Sequence, residues 1–261
     1  ITVTVGDGGL DKDLTTSGDN LTVSRTFDVT INPVNDVPTL NTLSDITIDE
    51  DAPQQTVDLT GITTGGGENQ PLAVTATSSN PELIPNPAVT YTSADSDGSL
   101  SFTPTADQYG TATITVTVTD GGLDGDLATT EDNLSLVRTF DVVVNPVNDA
   151  PTLDAIANTT GNEDTAVSVD LTGITAGINE TQTLIVTATS ADTNLIPHPS
   201  VAYTNGTTVG TINYTPVANQ SGSTTVTVTV EDGGLDNNLA TSGDNLTVSQ
   251  TFTVTVDALD D

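Results

Sequence analysis

The chain has 261 residues, of which 36 are acidic and only three, Lys12, Arg25 and Arg138, are basic, for a net charge of −33. A charge of that sign and size excludes polyanionic partners, nucleic acid and anionic membrane surfaces among them. With no cysteine, no methionine and one histidine, His198, disulfides, thiol chemistry and Cys-ligated metal centres are excluded, and the acids suit Ca²⁺ or Mg²⁺ better than a transition metal.

In chain order, the first predicted element is TVTVG from Thr2, followed by the loop DGGLDKDLTTSGDN and a second strand that runs into NPVNDVPTL at Asn32. A lone pair of strands is marginal in water, so residues 1–36 read as the end of a unit rather than a unit. A long strand at 43–49 follows and closes on Glu50 and Asp51. Short strands are then predicted at TVDL from Thr56, LAVTATS from Leu72, VTYT from Val89 and SLSFT from Ser99. In TATITVTVT from Thr111, the residues Ala112, Ile114, Val116 and Val118 alternate with threonine, the period of a half-buried strand with one wet face. The last strand, 135–144, runs into NPVNDAPTL at Asn145. Seven short strands with turn residues between them, and no helical periodicity, predict a β-sandwich. No apolar run is long enough to be a membrane-spanning helix. The chain opens inside a strand, without a signal peptide, and reads as an excerpt from something longer.

The same elements then recur. TVTVGDGGLDKDLTTSGDN at Thr2 returns as TVTVTDGGLDGDLATTEDN at Thr115 and TVTVEDGGLDNNLATSGDN at Thr227. VDLTGIT occurs at Val57 and Val169, and EDA near Glu50 has its counterpart near Glu163. The expected division is 1–36, the last two strands of a repeat; 37–149, a full repeat; and 150–261, another. Phe102, Phe140 and Tyr91, with Tyr214, Phe252 and Tyr203, are expected to fill the two cores. Tyr109 in DQYG looks like the tyrosine corner of immunoglobulin-like sandwiches, although the next repeat has Ser221 there.

Strand directions place the acids. If strands alternate, the last strand delivers the chain to the C-terminal pole, and the loop after the sixth strand lies at the N-terminal pole, beside the preceding seam. The first strand crosses the sandwich at about 3.3 Å per residue, which carries Glu50 and Asp51 to the far pole. Glu50, Asp51, Asn148, Asp149, Asp232, Asp236 and the corner residue Asp107 are therefore expected at one junction. Crowded carboxylates raise one another's pKa, and a hard cation reverses that cost. The bland alternative is turn chemistry, which also selects Asp, Asn and Gly.

NPVNDVP and NPVNDAP resemble the interdomain linker of cadherins, where an Asn-Asp pair before proline lies at calcium sites. Glu50 and Glu163 resemble the glutamate ending a cadherin first strand, and Asp120 and Asp232 the aspartate after the sixth strand. Nearly the whole chain is similar to bacterial cadherin-like tandem repeats of large surface adhesins. The resemblance implies an all-β chain of tandem seven-stranded immunoglobulin-like Greek-key sandwiches joined end to end, with Ca²⁺ at the seams. Beside the full junction it points to Asn35, Asp36, Asp120 and Asp124 at the preceding seam, and to Glu163 and Asp164 at the following one. The pattern departs from animal cadherins: no second asparagine follows Asp36 or Asp149, Asn219 replaces Asp107 in the last repeat, and the final seam, DALDD, lacks proline. Fewer ions per junction are expected accordingly.

The implied role is a non-enzymatic, extracellular stalk or fibre, each repeat contacting its neighbours in the chain. Two alternatives stand beside it: a glycan- or protein-binding module using the loops 61–70 or 93–98, and a subunit that assembles with copies of itself. His198 in IPHPS aligns with Asn86 and reads as a loop residue; TGGGEN at Thr64 lacks the lysine and helix of a phosphate loop. The loop acids Asp124, Asp126 and Asp132 read individually as solvated charge.

Overall fold

A computed structural model of the chain describes residues 1–15, 18–129 and 131–259. The alternating runs become strands, and among the described residues no helix is long and apolar enough to cross a membrane. Strands β1 (Thr2–Gly6) and β2 (Thr22–Thr26) pair antiparallel as an exposed two-stranded ribbon.

The next seven strands are β3 (Ile46–Asp49), β4 (Gln55–Thr60), β5 (Leu72–Ser78), β6 (Ala88–Thr90), β7 (Asp97–Phe102), β8 (Gly110–Asp120) and β9 (Ser135–Asn145). They form one sheet in the order β3-β9-β8-β5 and a second in the order β4-β7-β6. The pattern repeats with β10 (Thr159–Asn162), β11 (Val167–Leu171), β12 (Leu184–Ser190), β13 (Ser200–Tyr203), β14 (Gly210–Tyr214), β15 (Gly222–Asp232) and β16 (Thr247–Asp257), in the orders β10-β16-β15-β12 and β11-β14-β13. This is a tandem of immunoglobulin-like sandwiches.

Each sandwich closes on the aliphatic half of its alternation. Leu59 and Leu100 from the smaller sheet meet Ile114, Val116, Val118, Phe140 and Val142 from the larger, all buried. Leu171, Ile212, Val226, Val228, Val230, Phe252 and Val254 do the same in the second core. Burying each such side chain contributes about 1.5–3 kcal/mol. Tyr91 and Tyr203 pack only partly buried at the core margins. Threonines take the wet face.

The first strand of the repeat is shorter than the expected 43–49, for a structural reason. After the linker the chain first binds the smaller sheet, where Thr39 N donates to Thr63 O and Asn41 N to Thr60 O. It then crosses to the larger sheet and pairs in parallel with β9, Ile46 opposite Val142 through Asp49 opposite Asn145. The second repeat makes the same crossing, with β10 parallel to β16. That crossing carries the acids at the end of β3 to the outgoing linker.

Candidate metal centre at the repeat junction

Glu50 continues the β3 ladder, its N–H donating to Asn145 O, and its buried Oε1 accepts Val147 N at 2.7 Å. The carboxylate therefore holds the start of the linker. Asp51 and Asp107 both adopt left-handed backbone, φ 61° and 55°, which aspartate tolerates better than most residues. Asp107 N donates to Asp51 Oδ1 at 3.1 Å, tying the turn after β3 to the corner before β8. Asp149 arrives from the linker. One carboxylate oxygen each from Asp51, Asp107 and Asp149 lies within 4.8 Å of the others.

Three chain segments thus bring like charges together with no cation among them. Arg138 is occupied elsewhere, its Nε on Leu40 O. Burial pushes the Asp149 carboxyl above its ordinary range, and the charges of Asp107 and Asp51 push it further. Burial also raises Glu50, opposed by the Val147 hydrogen bond and reinforced by Asp149, Asp51 and Asp107. The Oδ2 of Asp149 is buried with no hydrogen-bond partner. A buried acceptor left unpaired costs about 1–3 kcal/mol, more when charged. Separate loops, carboxylate donors and an orphaned oxygen fit a hard divalent cation, which takes roughly six to eight oxygens in flexible geometry.

The downstream half of the junction is built differently. Asn148 Nδ2 donates to Asp232 Oδ1 at 3.0 Å and to Asp244 O at 2.8 Å, and its Oδ1 accepts Gln182 Nε2 at 2.8 Å. Asp149 N donates to Glu180 Oε2 at 3.1 Å. Asp232 is fully buried; its Oδ1 also takes Gly234 N and Leu246 N, each at 2.9 Å, while Oδ2 has no partner. The linker amide is thus a latch onto the loop after β15. Asn179 Nδ2 reaches across the seam to Asp107 O at 2.9 Å. Burial raises the Glu180 carboxyl, with Gln182 and the Asp149 N–H opposing and the charges of Asp149 and Asp232 adding. Gly177, at φ 138°, leaves the room: a Cβ there would run into the Glu180 carboxylate and Asp149.

Glu180 and Gln182 were not singled out in the sequence. Their signal was the recurrence of Glu-x-Gln before the third strand of each repeat, Glu68 and Gln70 in ENQ and Glu180 and Gln182 in ETQ. At the preceding seam the same latch appears. Asn35 Nδ2 donates to Asp120 Oδ1 at 3.0 Å and Asp132 O at 2.6 Å, Gln70 Nε2 to Asn35 Oδ1 at 2.7 Å, and Asp36 N to Glu68 Oε2 at 3.2 Å. Asp120, like Asp232, is fully buried with Oδ2 unpartnered. At the far end Glu163 is buried, accepts Leu259 N at 2.8 Å and keeps Oε2 unpartnered; Asp164 repeats the left-handed turn of Asp51 at φ 57°. Asp260 and Asp261 lie outside the described residues.

Two expected ligands, Asp124 for the preceding seam and Asp236 for this one, are hydrogen-bonded within their own loops. Asp124 accepts Asp126 N and the Thr129 hydroxyl, and Asp236 accepts Asn238 N and the Thr241 hydroxyl, so both carboxylates fold their own loops. Tyr109 makes no buried corner. Its side chain is 54% exposed and lines a groove between the repeats.

The fold and the seam define a class, immunoglobulin-like repeats in tandem. Residues 35–135 match the family described as bacterial Ig domain. Among solved structures, human mucin-like protocadherin EC1-2 is similar at 15% identity, over 85% of this chain and 98% of that one, with a TM-score of 0.42. The titin domains Z1Z2 in complex with telethonin are similar at 11% identity, over 87% and 100%, with a TM-score of 0.35. Domains 4 and 5 of the S-layer protein SbsC are similar at 20% identity, over 75% and 82%, with a TM-score of 0.31. No curated protein sequence matches the chain.

Proposed function

We propose that this chain is a load-bearing segment of an extracellular stalk or fibre, whose repeats, 37–149 and 150–261, are locked at the intervening seam by Ca²⁺. The observation that carries the reading is the group Asp51, Asp107 and Asp149, drawn from three segments, with Asp149 Oδ2 buried and unpaired. These three residues and Glu50 would hold the ion; the charge it supplies relieves their mutual repulsion and turns the upstream repeat and the linker into one body. The Asn148 latch then joins the linker to the downstream repeat. Pro146 and Pro151 restrict the backbone on either side. The partners are the neighbouring repeats of the same chain, and no catalytic role is proposed.

The test is thermal unfolding of the 261-residue chain in EDTA and in millimolar Ca²⁺. At a hundred times its Kd a ligand adds about 2.7 kcal/mol to the native state. A rise in Tm that vanishes in Asp149→Ala supports the reading; no rise in the parent chain overturns it.

A further inference from the structure

We propose, on the calcium reading above, that Asn179 of the downstream repeat is a positioning residue for the cation centre: it holds the Asp107 corner in place, so that binding of the ion and docking of the downstream repeat reinforce one another. The three clustered carboxylates come from the upstream repeat and the linker. Two consecutive residues in the loop between β11 and β12 reach their main chain from the other side of the seam. Asn179 Nδ2 donates to Asp107 O at 2.9 Å, and Glu180 Oε2 accepts Asp149 N at 3.1 Å. Asp51 is tied in turn to Asp107, whose N–H donates to its Oδ1. One short loop thus sets the spacing of Asp107 and Asp149, and through Asp107 that of Asp51.

The local chain is suited to this reach. Asn179 has left-handed backbone at φ 58°, which asparagine tolerates better than most residues. Its bond joins the two repeats directly, whereas the Asn148 latch joins the linker to the downstream repeat. Asp107 O also accepts Gln108 Nε2 at 3.0 Å from its own repeat, and a carbonyl has two lone pairs for the two donors. Counting back from Glu-x-Gln, the residue at the same place in the first repeat is Gly67, at φ 85°, with no side chain to make such a bond. The left-handed turn is common to both loops; the amide is particular to the second. A cation that draws Asp107 and Asp149 together favours the geometry in which residues 179 and 180 hold them. By linkage the clasp favours the cation to the same degree.

The test is a calorimetric titration of the full chain with Ca²⁺ in three forms: parent, Asn179→Gly and Ile178→Gly. Each glycine copies the first repeat, which has Gly66 and Gly67 at these places. Both variants keep the net charge and loosen the loop alike, but Ile178 is exposed and has no part in the bond. The expected result is binding weakened about two- to tenfold in Asn179→Gly, the span of one hydrogen bond, with the number of ions unchanged, and binding within about twofold of the parent in Ile178→Gly. A second measurement uses spin labels placed by Thr75→Cys and Thr187→Cys, exposed strand positions, one in each repeat of a chain without cysteine. In Ca²⁺ the distance distribution between the labels is expected to be broader in Asn179→Gly than in the parent, which a role confined to folding the downstream loop would not produce. Parent-like binding by Asn179→Gly, equal weakening in Ile178→Gly, or an unchanged distance distribution overturns the proposal. No binding by the parent chain overturns the calcium reading itself, and the proposal with it.

Discussion

The seams at Asn35 and Asn148 share one half and differ in the other. Both have the amide latch, with near-identical partners and lengths: Asp120, Asp132 and Gln70 at one, Asp232, Asp244 and Gln182 at the other. Among the described residues, the second also has Glu50 and the carboxylates of Asp51 and Asp107, facing Asp149. Before Asn35 lies the exposed β1–β2 ribbon. The latch is drawn from one repeat and its own leading linker. The carboxylate cluster ties one repeat to its outgoing linker.

That comparison is sharpest in the response to calcium. Asp149→Ala is expected to abolish the calcium-dependent rise of about 2.7 kcal/mol, whereas Asp36→Ala is expected to leave it within about 0.5 kcal/mol. Equal losses in paired melts would erase the distinction between the seams. Next in size are the latch residues. Asn35→Ala and Asn148→Ala each strip a donor from a fully buried aspartate and are expected to cost about 1–3 kcal/mol in EDTA. Calcium is expected to leave the Asn35→Ala deficit unchanged and to shift the Asn148→Ala one, readable by denaturant unfolding of both variants with and without the ion.

A smaller effect comes from protons. Glu50, Asp149 and Glu180 have folded pKa values above their ordinary ones, so the native state holds their protons more tightly than the unfolded chain. Stability from these groups is full below the ordinary carboxylate values and is lost as pH rises through the raised ones. In EDTA the Tm is thus expected to rise as pH falls from neutral toward 5, less so in Glu50→Gln. In calcium the trend reverses, because the ligands must be ionised. Smallest of all, Asp124→Ala and Asp236→Ala are expected to cost under about 1 kcal/mol and leave calcium affinity unchanged, since both acids serve their own loops.

The sequence was most legible where periodicity spoke. The Thr–Val alternation of β8 and β15 located the central strands, and reasoning from strand direction alone put Glu50, Asp107 and Asn148 at one pole. It was least legible in loops. Asp124 and Asp236 looked like ligands because an aspartate near a glycine pair serves a turn and a metal equally well. Glu180 and Gln182 escaped because they sit in a loop of differing composition in the two repeats, and only the Glu-x-Gln spacing is kept. Tyr109 looked like a core corner, but that inference rested on its place in the chain, and what its ring faces is decided by the next repeat.

One feature of the fold bears on how such a chain answers tension. The entering strand β3 and the leaving strand β9 run parallel, in register over four residue pairs. Pulled from its two ends, a sandwich drags β3 toward one pole and β9 toward the other. The ladder between them is then sheared, so that its hydrogen bonds break together instead of unzipping one by one. β10 and β16 repeat the arrangement, so each sandwich carries its own shear clamp in series, and the force a tandem withstands is set by the weakest of these clamps.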